Sequence, residues 1–534
     1  MHAIASMPAR AGQKAALALA ACWATGALAQ PAPNPTNIAV GGNAGQNVST
    51  NWNTAVGEGA GSNVSGNNAN QAIGYYAGNN VNGGWNQAIG RSAGQDVTGS
   101  YNQGFGFWAG TGVTGSQNNA IGSNAGRNVA GSNNQAIGNG AGNNVSTNWN
   151  TAIGEGAGSN VSGKNANQAI GYYAGTNVNG GWNQSIGRSA GQNVSGDYND
   201  SFGFWAGTDT VGSNNLSVGS NAGRNVTGSS NQGMGQGAGR NVTGHGNLAN
   251  GQNAGQFVEG DGNQSSGRNA GQTVAGDNNI ASGSYAGSEV RGNNNQALGL
   301  GAGRQVVGSN NVAQGTGAGI GVAGDDNISL GSDANRGNTA SRTVAVGTAA
   351  SAGASDSVAI GTQASATAAN SVALGAGSQA ARGASQDYAA YGIQAPQSSS
   401  GEVNVGGRQI TGVAAGSQDG DAVNVGQLRA VDQRVQQHSA DTQRHLADLR
   451  SDVHTVDRSL RGGVAAAMAT AALPQAYLPG RSMVSMAGGA WNGESGYAMG
   501  LSHVTRGGSW VVKAAANGTS RGDLGGAVGV GYQW

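Results

Sequence analysis

The chain has 534 residues, of which 101 are glycine, far above the ordinary share of about 7%. Charged residues make up only 9%, Lys+Arg and Asp+Glu stand at 25 each, and cysteine occurs once. Such a composition excludes a basic footprint for nucleic acid, a disulfide framework and a conventional many-domain enzyme with large apolar cores. Collagen is excluded too, because the glycines lack every-third spacing and there are only 7 prolines. What remains is disorder or a repeat architecture, and periodicity decides between them.

Residues 1–29 read as a signal peptide: Arg10 and Lys14, an apolar run from Ala15 to Ala24, then Ala27-Leu28-Ala29 before Gln30. Cleavage there removes Cys22 and leaves a mature chain without a thiol. A rival reading takes Leu19-Ala20-Ala21-Cys22 as a lipoprotein signal with Cys22 acylated. No later segment has the uninterrupted apolar length of a membrane-spanning helix.

Residues 30–343 form the first part of a repeat head. A small–apolar–Gly tripeptide recurs with its glycine at 41, 57, 74, 90 and onward to 331, at intervals of 16 with two of 17. A second glycine follows most of these by four residues, as at Ala93-Gly94, and a valine follows three later, as at Val97. Asn51-Trp52-Asn53-Thr54-Ala55 returns as Asn148-Trp149-Asn150-Thr151-Ala152, six coils plus one residue further on. Disorder does not keep phase in this way, so the head is a solenoid.

Each coil offers two short strands, one centred on Ile (Gln71-Ala72-Ile73-Gly74) and one on Val (Asn80-Val81-Asn82). The paired glycines suit tight corners, and the Asn before each strand suits ladders between coils. Coils stacked at about 4.8 Å would give a rod of roughly 90–100 Å. One coil has only a few small apolar side chains to bury, so association of several chains along the rod would supply the missing core. From 344 to 381 the period shortens to 14, as between Gly347 and Gly361. Residues 382–400 are small and polar and read as a linker.

Composition shifts at about 401. A neck, 401–427, contains Asp421-Ala422-Val423-Asn424-Val425-Gly426-Gln427-Leu428, the last of these opening a stalk at 428–462. In the stalk Leu428, Val431, Val435, His438, Thr442, His445 and Leu449 follow 3-4 spacing, and Val453, Val456 and Leu460 resume it after one extra residue. Residues 463–534 read as a membrane anchor, and from Met483 the pattern turns to period two. Tyr497, Met499 and Leu501 share one face, as do Trp510 with Val512, and Val528, Val530, Tyr532 and Trp534. Four such strands, apolar on one face and small or polar on the other, suit an outer-membrane barrel. Four cannot close one alone, whereas three chains would supply twelve.

The order of signal, repeat head, neck, coiled coil and four terminal strands resembles the trimeric autotransporter adhesins (YadA-like, type Vc secretion). The neck at Asp421 to Leu428 and the repeat Ser357-Val358-Ala359-Ile360-Gly361 carry the resemblance most specifically, and Trp534 resembles the terminal aromatic read by outer-membrane barrel-assembly machinery. The resemblance implies a mostly β protein with a left-handed parallel β-roll head, a short trimeric coiled coil and a twelve-stranded anchor. It also implies a homotrimer that binds host matrix or cells, is anchored in the outer membrane and exports its own head. The 16-residue period departs from the family's usual 14, and the stalk is very short.

Catalytic, metal and cofactor chemistry finds no support in the sequence. His438 and His445 lie seven apart on one seam, where polar core packing is the bland reading and axial metal or anion binding the sharp one. The carboxylates are sparse, and the Gly-x-Gly runs are coil corners rather than phosphate loops. The aromatics are more informative. Trp52, Trp85, Tyr101, Trp149, Trp182 and Tyr198 all lie five residues before a repeat glycine and so share one loop position. Trp108 and Trp205 share a second position. A row of exposed rings flanked by Asn could grip sugars or apolar protein surfaces; alternatively the rings stack on one another or fill grooves between chains. A self-association fibre without a host ligand is the competing function.

Overall fold

The computed structural model describes residues 35–534, so the signal-peptide reading and Cys22 lie outside the described residues. The chain divides into two units, one up to Arg408 and one from Gln409 to Trp534.

The first unit is a parallel β-solenoid. Three-residue strands stack in register, each pairing with its counterpart in the next coil: Gln71 with Gln87, Ala72 with Ala88, Ile73 with Ile89. The pattern runs from Ile38–Val40 to Val372–Leu374. A second, narrower ladder is regular from Thr210–Val211 to Val290–Arg291, and single bridges such as Ser65 to Asn82 continue it elsewhere.

The strand is centred on Ala, not Ile. Ala72 is 3% exposed and points inward, whereas Ile73 is 40% exposed and points out. The coil interior is narrow. It holds one Ala from the strand, a second Ala at the next corner (Ala77, Ala93) and the Val column Val64, Val81, Val97. Burying a valine contributes about 1.5–3 kcal/mol, and each coil touches only its neighbours, so stability accumulates rung by rung.

Glycine makes the close stacking possible. Gly74 sits at φ +133°, and a Cβ there would lie 2.4 Å from the carbonyl oxygen of Gly90. The same glycine-on-glycine contact recurs up the column.

The expected Asn ladder is present and buried. Asn86 donates its backbone N–H and its Nδ2 to Asn70 Oδ1, both at 3.0 Å, while Asn70 Nδ2 donates to the Gly83 carbonyl at 2.8 Å. Each side chain thus closes a corner and hooks the next coil. Asn183→Leu would orphan the Asn199 N–H (2.9 Å to Asn183 Oδ1) and the Gly196 carbonyl (2.9 Å from Asn183 Nδ2). The expected cost is about 1–3 kcal/mol per orphaned group. Hydrogen exchange should rise in the flanking coils only; uniform exchange along the head would contradict a rung-by-rung account.

The ladder ends where the period changes. Asn327 Oδ1 accepts from the N–H and hydroxyl of Thr343 at 3.0 and 2.6 Å, and Asn327 Nδ2 has no partner. Beyond it Ser357 and Ser371 occupy the buried position. The second inward residue becomes Ala352, Ala366 and Ala380, which makes an all-alanine core. A shorter loop encloses smaller side chains.

Residues 382–400, expected to be a linker, instead carry an antiparallel pair, Gly383–Tyr388 with Gln397–Gly401. Small polar side chains give no period-two signal, so only the backbone ladder defines these strands. Glu402 closes their base by accepting from the N–H groups of Ala381 and Arg382 at 2.6 and 2.8 Å and pairing with the Arg382 guanidinium. Those bonds hold its carboxyl below the usual range.

In the second unit one helix runs Val425–Ala471, 47 residues, about 70 Å at 1.5 Å per residue. The stalk boundary expected at 462 is therefore not a helix end. Gly462 and Gly463 do not break it, because Ala465, Ala466 and Ala469 beyond them are buried against a sheet. That sheet has four antiparallel strands, Ser482–Trp491, Glu494–Val504, Trp510–Thr519 and Leu524–Tyr532, in sequence order. The side chains alternate: Ala498, Ser502 and Val504 lie buried on the helix side, and Tyr497, Met499 and Leu501 stand exposed on the other. Trp534, expected on the last strand, lies two residues beyond its end.

Candidate functional site

The six predicted ring positions fall on one corner of the solenoid, the turn that precedes each strand. Trp52, Trp85, Tyr101, Trp149, Trp182 and Tyr198 all adopt φ between +55° and +64° and are 43–67% exposed. Within this row Trp85 and Tyr101 lie 5.7 Å apart between ring centroids, and Trp182 and Tyr198 lie 5.3 Å apart and stack at 9°. In other coils the same place is held by Asn278, Asn294 or Gly246, residues that tolerate the left-handed region. A side chain with a Cβ costs about 1–2 kcal/mol there. Six large rings therefore stand at a corner where a side chain works against the fold.

The structure adds an edge that the sequence reading only touched at Trp108 and Trp205. On the turn that follows the strand, the Arg91 guanidinium lies between the rings of Tyr75 and Phe107, 5.7 and 5.5 Å from their centroids. Arg127 covers Trp108 at 4.6 Å. The arrangement returns 97 residues later as Tyr172, Arg188, Phe204, Trp205 and Arg224. The signal was legible: aligned on the repeat glycine, Tyr75, Arg91 and Phe107 occupy one position in three successive coils.

In the neck, three of the seven predicted residues make the bonds. Asn424 caps the helix in a capping box with Gln427, whose N–H donates to Asn424 Oδ1 at 3.0 Å. Gln427 also bonds both backbone groups of Gly416, at 3.0 and 2.9 Å, folding the preceding loop back onto the cap. Asp421 accepts from the N–H groups of Ser417 and Gln418 at 2.8 and 3.0 Å, which holds its carboxyl below the ordinary carboxylate value. Ala422, Val423, Val425 and Leu428 are exposed, as are the seam residues Val431, Val435, Leu449, Val453, Val456 and Leu460.

A depressed carboxyl stabilises the loop above its unfolded value of about 3.9 and loses that contribution as pH falls through the folded value. Protease sensitivity of residues 413–421 is therefore expected to rise below about pH 4. Asp421→Asn should remove that pH dependence; an unchanged acid transition in the variant would place its origin elsewhere.

On the anchor sheet Tyr497, Leu501, Trp510, Val512, Val530, Tyr532 and Trp534 are all exposed, and Trp510 meets Tyr532 edge to face at 5.0 Å. The opposite face serves the helix. Lys513 Nζ donates to the Leu473 carbonyl just past the helix end at 3.0 Å, and Asn517 Nδ2 donates to Thr470 Oγ1 at 2.7 Å. Both outer strands of the sheet are unpaired edges. Among the described residues no group of three His, Cys, Asp or Glu side chains could hold a metal ion.

Comparison with known proteins assigns these parts. Residues 474–534 match the YadA-like membrane anchor domain, and residues 409–443 match the coiled stalk of trimeric autotransporter adhesins. These matches support an outer-membrane anchor with a surface-exposed head and stalk, and the matched segments are similar to those of trimeric autotransporter adhesins. It is 43% identical over 138 residues to the autotransporter adhesin NhhA of Neisseria meningitidis serogroup B, a match spanning 25% of this chain and 21% of that one. It is 40% identical over 131 residues to the autotransporter adhesin EhaG of Escherichia coli O157:H7, spanning 24% of this chain and 8% of that relative.

Proposed function

We propose that the chain is a homotrimeric surface adhesin whose head attaches the cell to host matrix or host cells. The observation that carries this reading is the set of surfaces that one chain leaves unpartnered. Along the head, the outward column Ile73, Ile89, Phe105, Ile121, Ile137, Ile153 runs unbroken, and the seam of the helix is bare. The anchor sheet has two open edges, which lipid does not tolerate. Three copies satisfy all of these at once: the Ile columns meet along an axis, the helices form a coiled coil, and twelve strands close a barrel. Barrel-assembly machinery would insert that barrel and the head would pass through it. The Trp/Tyr row is then the contact surface, and repetition lets weak single contacts add up.

The test compares cells displaying the full chain with cells displaying a chain lacking residues 36–400, at equal surface level. Binding to matrix proteins and epithelial cells should vanish with the deletion. Loss of clumping alone would make the protein a self-association fibre instead. Unboiled membrane extracts should show a trimer band for both.

The row itself makes a sharper prediction. Trp182→Asn should raise head stability by about 1 kcal/mol, because Asn accepts the left-handed corner, and should weaken adherence. A variant less stable than the parent, or equally adherent, would assign the ring to packing.

A further inference from the structure

The head carries unspent charge, segregated by edge. On the turn after the strand, between Gly219 and Gly321, stand Arg224, Arg240, Arg268 and Arg304 against a single acid, Glu289. On the second ladder and the turn between it and the strand, the same coils carry Glu259, Asp261, Asp277, Asp325 and Asp326 against a single arginine, Arg291. Among the described residues none of these forms an ion pair; the head pairs there are Lys164–Asp197, Arg336–Asp333, Arg342–Asp356 and Arg382–Glu402. Arg224, Arg240 and Arg304 are also half-buried, whereas Arg268 is exposed. Arg224, Arg240 and Arg268 lie over the rings of Trp205, Phe257 and Tyr285 at 4.8, 5.9 and 5.4 Å. The Nε atoms of Arg224, Arg240 and Arg304 are buried without a hydrogen-bond partner. On the other edge Glu259, Asp261, Asp277 and Asp325 are exposed, and Asp261 and Asp277 occupy the same position in successive coils, like charge above like charge.

A lone solenoid gains nothing from this distribution. A cyclic assembly does. The outward strand face lies between the two edges, so when three such faces turn to a common axis, the edge after the strand of one chain abuts the edge before the strand of the next. We infer that coils 219–331 are a charge lock between neighbouring heads, the arginine edge of one chain against the carboxylate edge of a second copy. This rests on the homotrimer proposed above and adds which surfaces fasten it and how the chains keep register. The lock is confined to the charged coils after Gly219, and the Trp/Tyr row, on the same corner in the coils before it, is the part of that edge left for contact.

The test uses the full chain displayed on cells and reads the half-life of coils 219–331 under limited proteolysis. One variant reverses the first edge (Arg240→Glu, Arg268→Glu, Arg304→Glu) and one the second (Asp261→Arg, Asp277→Arg, Asp325→Arg). Either alone should shorten the half-life by about tenfold or more, because like charges then face each other, and the two combined should recover most of it. Asp261, Asp277 and Asp325 also accept backbone N–H groups of His245, Asp261 and Ser309 at 2.7–2.8 Å. Asp→Ser at all three separates this role, since Ser229 and Ser309 accept in the same ladder; that variant should lose the salt dependence of protection while its coils stay folded. Reversals without effect, or whose costs multiply when combined, would overturn the lock. Loss of the anchor trimer in the unmodified chain would instead overturn the trimer beneath it, and the lock with it.

Discussion

Gly496→Leu is expected to abolish surface display. A Cβ at Gly496 would lie 2.2 Å from the backbone nitrogen of Ala466 and 2.4 Å from its Cα. At Gly489, on the neighbouring strand, it would lie 2.4 Å from the Ala465 carbonyl oxygen. Neither glycine is needed for its backbone angles; both are needed because the helix backbone lies directly on the sheet. A helix backbone cannot move aside as a side chain can, so a leucine would force helix and sheet apart and uncover Ala465, Ala466 and Ala469. The bonds from Lys513 and Asn517 to the helix end would be lost in the same step. Outer-membrane levels by immunoblot should fall to about a tenth or less, because overpacking against fixed backbone costs several kcal/mol. Met499→Leu, on the same strand and the opposite face, should display normally. Normal display of Gly496→Leu would mean that the helix does not dock on this sheet in the membrane.

Gly187→Val is expected to cut the head in two. Gly187 has φ +131°, and its Cβ would lie 2.5 Å from the Gly203 carbonyl oxygen and 2.8 Å from the carbonyl carbon. The substitution meets both a forbidden backbone angle for a branched residue and a backbone clash with the next coil. The local cost exceeds what two neighbouring coils gain by stacking, but coils far from the break lose nothing. Limited proteolysis should produce two protected fragments with cleavage between about 187 and 203, whereas Asn214→Gly, at φ +61°, should leave the pattern unchanged. Uniform digestion would show that the head melts as one cooperative body.

The repeat, the Asn ladder and the alternation of the anchor strands were all legible, because each rests on spacing, and spacing survives in a bare sequence. The orientation of Ile73 was not. In a three-residue strand the central side chain and its neighbours point oppositely, and Gln71-Ala72-Ile73 places Ala inward although Ile is more apolar; only the glycine contact with the next coil shows that the interior is too narrow for Ile. The outward Ile is thereby left free for the interchain surface proposed above. The strands at 383–401 were missed because Gly, Ala, Ser and Gln carry no pattern. The helix past 462 was missed because two glycines normally weaken a helix and the sheet that supports it is remote in sequence. The unpaired arginines needed the columns of the solenoid before their lack of partners could be seen.

Nearly all of the head's pairings between coils join residues 13 to 20 positions apart, and a few reach further, as from Lys164 to Asp197 and from Val372 to Val403. Its folding is therefore a zipper with very low contact order, in which the first coils formed template the rest. A chain emerging from a narrow pore as an extended thread would be captured one coil at a time, and each captured coil, with its glycine column and Asn hook closed, would be too wide to slip back. In the trimer proposed above, the stacking that makes the head rigid would also rectify its movement: diffusion would supply the motion and folding the direction.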